Sequence, residues 1–205
     1  MAVIKSGVTS DQLTIDTTSK AARVTLYDSD GNYRGTKRTY RASTIIPLVC
    51  AVTADRAIFV ISGSASQTII VKRIRVSGAT LTAVAYLTVN AVKYSSATSG
   101  GTSTTLVNVP LDSNNAAATA VVKAYTAVPT DGTLVGVLAS WRSLWQATTA
   151  AAAGSPVSHE YYFGDIPESH GIVLRGTAQE VALRFPVVAA SAPTMAIDVE
   201  WTEQA

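Results

Sequence analysis

The chain has 205 residues, of which only 15% are charged, and carries a formal net charge of +2; its mean hydropathy is +0.24. That length accommodates one large all-β domain, or one domain with an arm, and is enough to bury a sizeable core. No apolar run approaches the roughly 18 residues of a membrane-spanning helix, and the single cysteine, Cys50, excludes an intrachain disulfide.

A hydrophobic chain without a spanning segment is expected to hide further surface against other protein. The longest apolar run, "IIPLVCAVTA" from Ile45 to Ala54, is interrupted by Pro47. Cys50 lies inside it and is read as a small buried hydrophobe rather than a reactive thiol. The opening "MAVIKSGVTSD" lacks the apolar stretch of a secretory signal. Charge is distributed unevenly. Residues 1–75 hold eleven Lys/Arg and five Asp/Glu, a net of +6, whereas residues 76–205 hold five and nine, a net of −4. Such a split suggests that the N-terminal part meets an acidic partner.

Taken in chain order, the first candidates are a short strand pair, "QLTID" and "ARVTLYD". The latter sets Ala22, Val24 and Leu26 opposite Arg23, Thr25 and Tyr27. "DSDGN" from Asp28 resembles the start of a calcium loop, but its glycine comes fourth and Thr39 occupies the twelfth position. A hairpin turn accounts for it better. Then comes "SDGNYRGTKRTYRAST", polar, basic and without apolar periodicity. Residues 1–44 are therefore expected to form a basic N-terminal arm or small appendage, and residues 45–205 a β-sandwich.

In the second part "RAIFVIS" is apolar on both faces. "QTIIVKRIRVSG" and "LTAVAYLTVNAVKY" read as long strands on either side of a break at Gly78. From Ser95 to Thr126 runs a nearly uncharged segment rich in small residues, with one Gly-Gly step. Ordering each backbone residue costs about 1–2 kcal/mol, and structureless loops beyond roughly 12–15 residues are uncommon unless functional. This segment is expected to be either disordered or held by something outside the chain's own core. A capped turn is expected at Asn114, and "ATAVVKAYT" closes the segment as a strand.

"LVGVLASWRSLW", Leu134 to Trp145, is again apolar on both faces, as a sandwich-core strand or a subunit interface would be. Trp141 and Trp145 are its candidate interface anchors, with ordinary core as the equal alternative. "ATTAAAAG" has helical propensity but is short for an isolated helix. "HEYYFG" and "GIVLR" follow as short strands. "EVALRFPV" points Val181, Leu183, Phe185 and Val187 one way and Glu180, Ala182 and Arg184 the other. "TMAIDVEWT" does the same with Met195, Ile197, Val199 and Trp201. Gly, Pro, Asn and Asp punctuate the chain at the spacing of a sandwich, and about eight to ten strands argue for an all-β, jelly-roll-type β-sandwich.

Catalytic motifs are scarce. His159 and His170 share "HEYYFGDIPESHG" with Glu160, Asp165 and Glu168. Zinc needs three or four ligands converging on one point, but His159 and Glu160 alternate across a strand. Polar residues at a strand–turn–strand corner explain the cluster. "GSASQ" at Gly63 lacks the second glycine of a nucleophile elbow, and neither a P-loop nor a dinucleotide fingerprint occurs. The chain is expected not to be an enzyme and to need no cofactor or metal. A polysaccharide-cleaving activity would need paired carboxylates at a set spacing, which sequence cannot display.

The basic cluster Arg34, Lys37, Arg38 and Arg41, interleaved with Tyr33 and Tyr40, offers weak, salt-sensitive nucleic-acid binding at most. Nothing else in the chain is basic enough to frame a groove. Docking on an acidic protein surface is the favoured reading.

Three stretches together resemble a recurrent family of tailed-bacteriophage virion proteins, over roughly residues 70–203. They are "GGTSTTLVNVPLDSNNAAATAVVKAYTAVPTDGTLVG", "FGDIPESHGIVLRGTAQEVAL" and "AIDVEWTE". The leading "SDQLTIDTTSKAARVTLYDSDGN" is similar to the first segment of many phage structural proteins. The resemblance implies a jelly-roll structural protein of the virion, made in the host cytoplasm, and supplies no catalytic residues to carry over. On that footing the first expectation is a capsid decoration or cement protein on the capsid exterior. It would be a homotrimer bound to the major capsid protein, docking through Arg34, Lys37, Arg38 and Arg41. The uncharged segment would lie across neighbouring subunits, with Thr102, Ser103, Thr104 and Thr105 pairing on a partner's strand edge. The alternative is a tail or fibre module recognising a host glycan or surface protein through the corner at Tyr161, Tyr162 and Asp165.

Overall fold

The computed structural model describes residues 14–15, 22–23, 37–44, 48–49, 55–80, 85–147, 157–164, 170–186 and 193–204. The chain divides into two units, Met1–Lys37 and Arg38–Ala205. In the first, the described residues form an antiparallel pair of two-residue strands, β1 (Thr14–Ile15) and β2 (Ala22–Arg23). Cys50, Arg34, the "DSDGN" turn and, after Ala147, the "ATTAAAAG" stretch lie outside the described residues.

The second unit holds the remaining strands: β3 (Arg38–Ser43), β4 (Leu48–Val49), β5 (Ala57–Ser62), β6 (Thr68–Thr80), β7 (Ala85–Tyr94), β8 (Ser103–Thr105), β9 (Val109–Pro110), β10 (Val121–Tyr125), β11 (Leu134–Trp145), β12 (Val157–Tyr162), β13 (Ile172–Leu174), β14 (Glu180–Arg184) and β15 (Pro193–Gln204). Among the described residues there is no helix. The fold is all-β, with two main antiparallel sheets. One is six-stranded in the order β11-β7-β14-β5-β10-β8. The other is seven-stranded in the order β12-β6-β15-β3-β9, with β13 also on β6 and β4 also on β15. Their inner faces share one apolar core, as in a β-sandwich.

Strand pairing is nested. β3 pairs with β15, β5 with β14, β6 with β12, and β7 with β11. The first long strand thus lies against the last, the second against the second-last, and so inward to a central hairpin interrupted by residues 95–133. Alternation drives this. Met195, Ile197, Val199 and Trp201 of β15 are buried while Ala196, Asp198 and Glu200 are only half-buried. In β6, Ile69 and Val71 face the core, and so do Ile74 and Val76, two sets of opposite parity. Lys72 reconciles them: the register passes from Trp201–Val71 to Glu200–Arg73, leaving Lys72 as the extra residue of a bulge.

Three expectations change here. The boundary falls at Lys37/Arg38 rather than at residue 44, because Tyr40 and Ala42 bury their side chains in the core and make β3 a sandwich strand. An inward stripe made of one tyrosine and one alanine does not register as apolar periodicity. Gly78 does not break β6, which continues to Thr80. A Cβ at Gly78 would stand 2.1 Å from the Thr194 carbonyl and 2.8 Å from the Trp145 ring, so glycine is there to admit the indole and the neighbouring strand. Glu180, expected on an outer face, is buried at 3% exposure. Its carboxylate accepts from Ser62 Oγ at 2.9 Å and from the Thr98 amide at 2.8 Å.

Glu180 lies beside a second small apolar cluster of Ala57, Val60, Val92, Tyr94, Tyr125 and Ala182. Segments near Thr98 and Asp131 reach this face: the Asp131 carboxylate accepts from the Ala57 amide at 2.9 Å. Arg184 bridges Asp55 and Asp131 at 2.6 and 3.7 Å. Burial, then the neighbouring Asp131 carboxylate, pushes the Tyr94 hydroxyl well above the ordinary tyrosine range. Burial raises Tyr125 and Tyr40 as well, aided by Glu180 and Glu203 respectively.

Two outcomes are expected. Gly78→Ala forces the Thr194 carbonyl or Trp145 to move and lowers stability by about 1–3 kcal/mol in thermal unfolding, with unchanged secondary structure. The buried tyrosines keep their protons in the fold at pH values where the unfolded chain, titrating near 10, has lost them. Stability is therefore intact below about pH 10 and declines above it, by up to about 1.4 kcal/mol per pH unit for each such tyrosine. Tyr94→Phe removes one of these buried ionisable hydroxyls, so the alkaline unfolding midpoint rises. Ultraviolet titration of tyrosinate alongside circular dichroism checks this; release of every tyrosine proton near pH 10 with the fold intact contradicts it.

Candidate functional site

The uncharged segment after Tyr94 is ordered by the chain's own sheets. Ser95 and Ser99 donate their amides to the carbonyls of Thr133 and Thr130, and Thr130 returns a bond to Ser99. Gly100 and Gly101 turn the chain at φ +65° and +67°, which side chains disfavour. Ser103–Thr105 then pairs with β10 at the edge of the six-stranded sheet. Next the chain crosses to the other sheet, where Val109–Pro110 pairs with β3 and the Leu111 amide donates to the Thr39 carbonyl. Asp112, not Asn114, caps the following turn: its carboxylate accepts from the Asn114 amide at 2.9 Å.

The return path rests on Glu203. This residue is 3% exposed, and its carboxylate accepts from the Thr119 and Ala120 amides, Thr119 Oγ1 and Trp201 Nε1, all at 2.8–3.0 Å. Tyr40, stacked on Trp201, donates its hydroxyl to the Ala116 carbonyl. Ser103–Thr105 pairs with β10 of the same chain on one side, and the expected pairing of Thr102–Thr105 with a partner subunit's strand concerns the other side of β8, the end of its sheet among the described residues. The segment is not a loop but a clasp that closes one lateral side of the sandwich.

The opposite side is closed by a row of rings. Trp141 of β11 stacks on Tyr161 of β12 at 4.5 Å between centroids, and Tyr161 on Phe163 at 6.4 Å. His159 lies 6.3 Å from Trp141. The Tyr161 hydroxyl reaches the Ser140 carbonyl, and Thr80 bonds the Gln146 carbonyl through its amide and hydroxyl. Trp141 and Trp145, offered by the sequence as interface anchors, are buried in this chain's own core, Trp145 completely. Neither has surface to give to a partner.

Of the basic cluster, Arg41 is engaged within the chain. Arg41 binds Glu200 at 2.7 Å, Glu200 also binds Arg73, and Arg73 binds Glu160 at 2.5 Å, a charge ladder across the outer face of the seven-stranded sheet. Asp198 accepts from Ser43 on the same face. Arg38 lies in register with Glu203, and Lys37, the last residue of the first unit, is exposed. The histidines do not converge: His159 points into the ring row, Glu160 outward to Arg73, and His170 is exposed. Asp165 and Glu168 lie outside the described residues. Among the described residues no group of three or more His, Cys, Asp and Glu gathers at one point.

What the fold leaves uncovered is apolar. Leu134, Val135, Val137 and Leu138 of β11 are each 40–61% exposed. Among the described residues β11 is the outermost strand of its sheet and pairs with β7 alone. Tyr161 and Thr80 reach carbonyls at Ser140 and, just past the strand, Gln146, and no described strand pairs with the outer edge of residues 134–139. Bulges between Leu134 and Gly136 and between Val137 and Ala139 distort it there, and Gly136 faces open space. A second strip, Val107, Val109 and Leu111, is 53–70% exposed on and beside β9, at the other lateral side. The two-sided apolarity of "LVGVLASWRSLW" was visible in sequence; that its first half overhangs the core was not. No protein family, characterised protein or solved structure matches the chain.

Replacing Glu203 by Ala strands two buried N–H donors, the Ala120 amide and Trp201 Nε1, and the part-buried Thr119 amide. Stability is expected to fall by about 2–4 kcal/mol, and amide exchange to accelerate first in residues 106–120. Uniform acceleration across both sheets would contradict the clasp.

Proposed function

We propose that this chain is a non-enzymatic structural protein of a phage virion, a capsid decoration or cement protein with a jelly-roll sandwich and an N-terminal arm. Support for the jelly roll comes from four nested pairs, β3 with β15, β5 with β14, β6 with β12 and β7 with β11, distributed over two sheets, with β10 added beside β5. The protein acts as a homotrimer on the exterior of the shell. It binds the assembled major-capsid lattice and not the loose subunits, so it stabilises the shell by mass action.

The observation that carries this reading is the pair of exposed, uncharged apolar strips on a body whose residues 95–133 are held by its own sheets. Exposed apolar strips of this kind mark interaction sites, and a free strand edge without protecting charge is a liability unless something covers it. Only Arg142, resting over the Tyr86 ring at 5.2 Å, places a charge on β11. Because Arg41 is neutralised by Glu200, the lattice contact is expected to be apolar and only weakly salt-dependent.

Copy number tests the reading. In purified particles, the chain is expected at about one copy per one or two major-capsid subunits, and stripping it should lower the temperature at which the shell ruptures. A few dozen copies or fewer per particle would instead assign it to the tail or a fibre. The corner at Tyr162, exposed beside the ring row, then becomes the receptor-facing candidate.

A further inference from the structure

We infer that the outer edge of β8 takes up an extended segment of the partner protein as a further strand of the six-stranded sheet. This deepens the proposed function by naming a contact its partner makes. It rests on the virion reading and holds for a capsid or a tail partner alike. The edge is defined by the pairing of β8 with β10, in which Ser103, Thr104 and Thr105 oppose Tyr125, Ala124 and Lys123. In the same register the Leu106 amide donates to the Val122 carbonyl and the Thr126 amide to the Thr102 carbonyl. Thr102, Thr104 and Leu106 therefore turn their backbone groups toward β10, and Ser103 and Thr105 turn theirs away. Among the described residues no strand lies on that side, and all three side chains of β8 are exposed.

The strand orders of the two sheets end in β11, β8, β12 and β9. Three of these carry a feature that discourages a further strand. Bulges interrupt β11 over residues 134–139, Pro110 of β9 has no N–H to give, and β12 presents the exposed, charged Glu160. β8 has no bulge in its register with β10 and no proline, and the chain from Ser95 to Leu111 holds no charged side chain.

The chemistry of this edge selects its occupant. Ser103 and Thr105 offer two donors and two acceptors, repeating roughly 7 Å along the strand, which is the two-residue repeat of an extended backbone. A glycan or a flat apolar surface does not reproduce that repeat, whereas a second backbone strand does. The nearest charge in register is Lys123, opposite Thr105 on β10. A segment free of basic residues where it crosses Thr105 therefore meets the edge without opposing like charges. A second copy, pairing β8 with β8, is the competing occupant.

Hydrogen exchange is read residue by residue on the full chain, free in solution at several concentrations and bound to particles. The Ser103 and Thr105 amides are expected to exchange freely in the isolated chain and to become protected on the particle. Two variants are then added back to particles stripped of the chain. Thr105→Pro removes an outward N–H that β10 does not use, and Thr105→Val alters the side chain and keeps the backbone. Circular dichroism and thermal melts verify their folds, and the exchange measurement decides alone should Thr105→Pro not fold. Thr105→Pro is expected to weaken binding about tenfold and Thr105→Val to leave it unchanged. The inference is wrong if both amides exchange as freely on the particle as in solution, or if folded Thr105→Pro binds like the unaltered chain. Concentration-dependent protection in the isolated chain would make a second copy the occupant and overturn it too. A low copy number would reassign the chain to the tail or a fibre and leave the exchange result standing. Unprotected amides at full copy number would remove this contact and leave the capsid reading intact.

Discussion

A sandwich of two sheets is open along both lateral sides, and how this chain closes them governs everything else about its surface. On one side it uses rings, Trp141 on Tyr161 on Phe163, which span the sheets with side chains alone. On the other it uses backbone: residues 95–120 leave β7, pair with both sheets in turn, and return. Backbone carries donors and acceptors that must be satisfied wherever water is excluded. Glu203 meets that demand at the point of return, where strand bonding has stopped and β10 has not yet begun. An isolated carboxylate would be costly at that depth; with four donors converging on it, the charge is spread over amides that would otherwise be orphaned.

Both closures are made by the chain itself, which decides where it remains incomplete. The outer face of the seven-stranded sheet is a ladder of paired charges and requires no cover. The far face of the six-stranded sheet has its own small cluster, shielded near Glu180 and Asp131. Exposed apolar surface collects instead at the outer margins of the two closures, beyond the rings at Leu134–Leu138 and on the clasp at Val107–Leu111. Those margins are where association gains most per residue, since the backbone there is already ordered and little further conformational entropy is lost on contact.

Much of the fold was legible because period two is a strong signal when one face is wet. β15 reads directly from "TMAIDVEWT", and the two-sided "RAIFVIS" correctly marks the fully buried β5. Legibility failed where a strand's polar residues are buried or its inward residues are small. Glu180 breaks the alternation of β14 because a distant turn covers it, a contact between residues 82 positions apart. β3 hides its role behind Tyr40 and Ala42, and Gly78 is a strand residue whose need for glycine comes from Trp145, far along the chain. The tryptophans were visible as large apolar side chains, but only the three-dimensional arrangement separates those that fill the core from the leucines and valines that overhang it. For the segment after Tyr94 the entropic reasoning was sound: such a length must be held. The sequence does not reveal that its holder is a carboxylate near the C-terminal end of the same chain.

The charge split along the chain has the same origin. Its basic first third and acidic remainder suggested an acidic partner, but nested pairing brings the ends together. Arg41 of the first long strand lies on Glu200 of the last, and Arg73 shares that carboxylate while also binding Glu160. Arg75 stands in register with Asp198 and Arg38 with Glu203. A sequence folded with its first strand against its last needs opposite charges in its two halves for the ladder to be attractive, since like charges directly opposite are destabilising. The asymmetry is therefore accounted for within the fold to the extent of these pairs, and an external acidic surface is not required to explain it. Electrostatic complementarity within the sandwich therefore explains these charges without any reference to a partner.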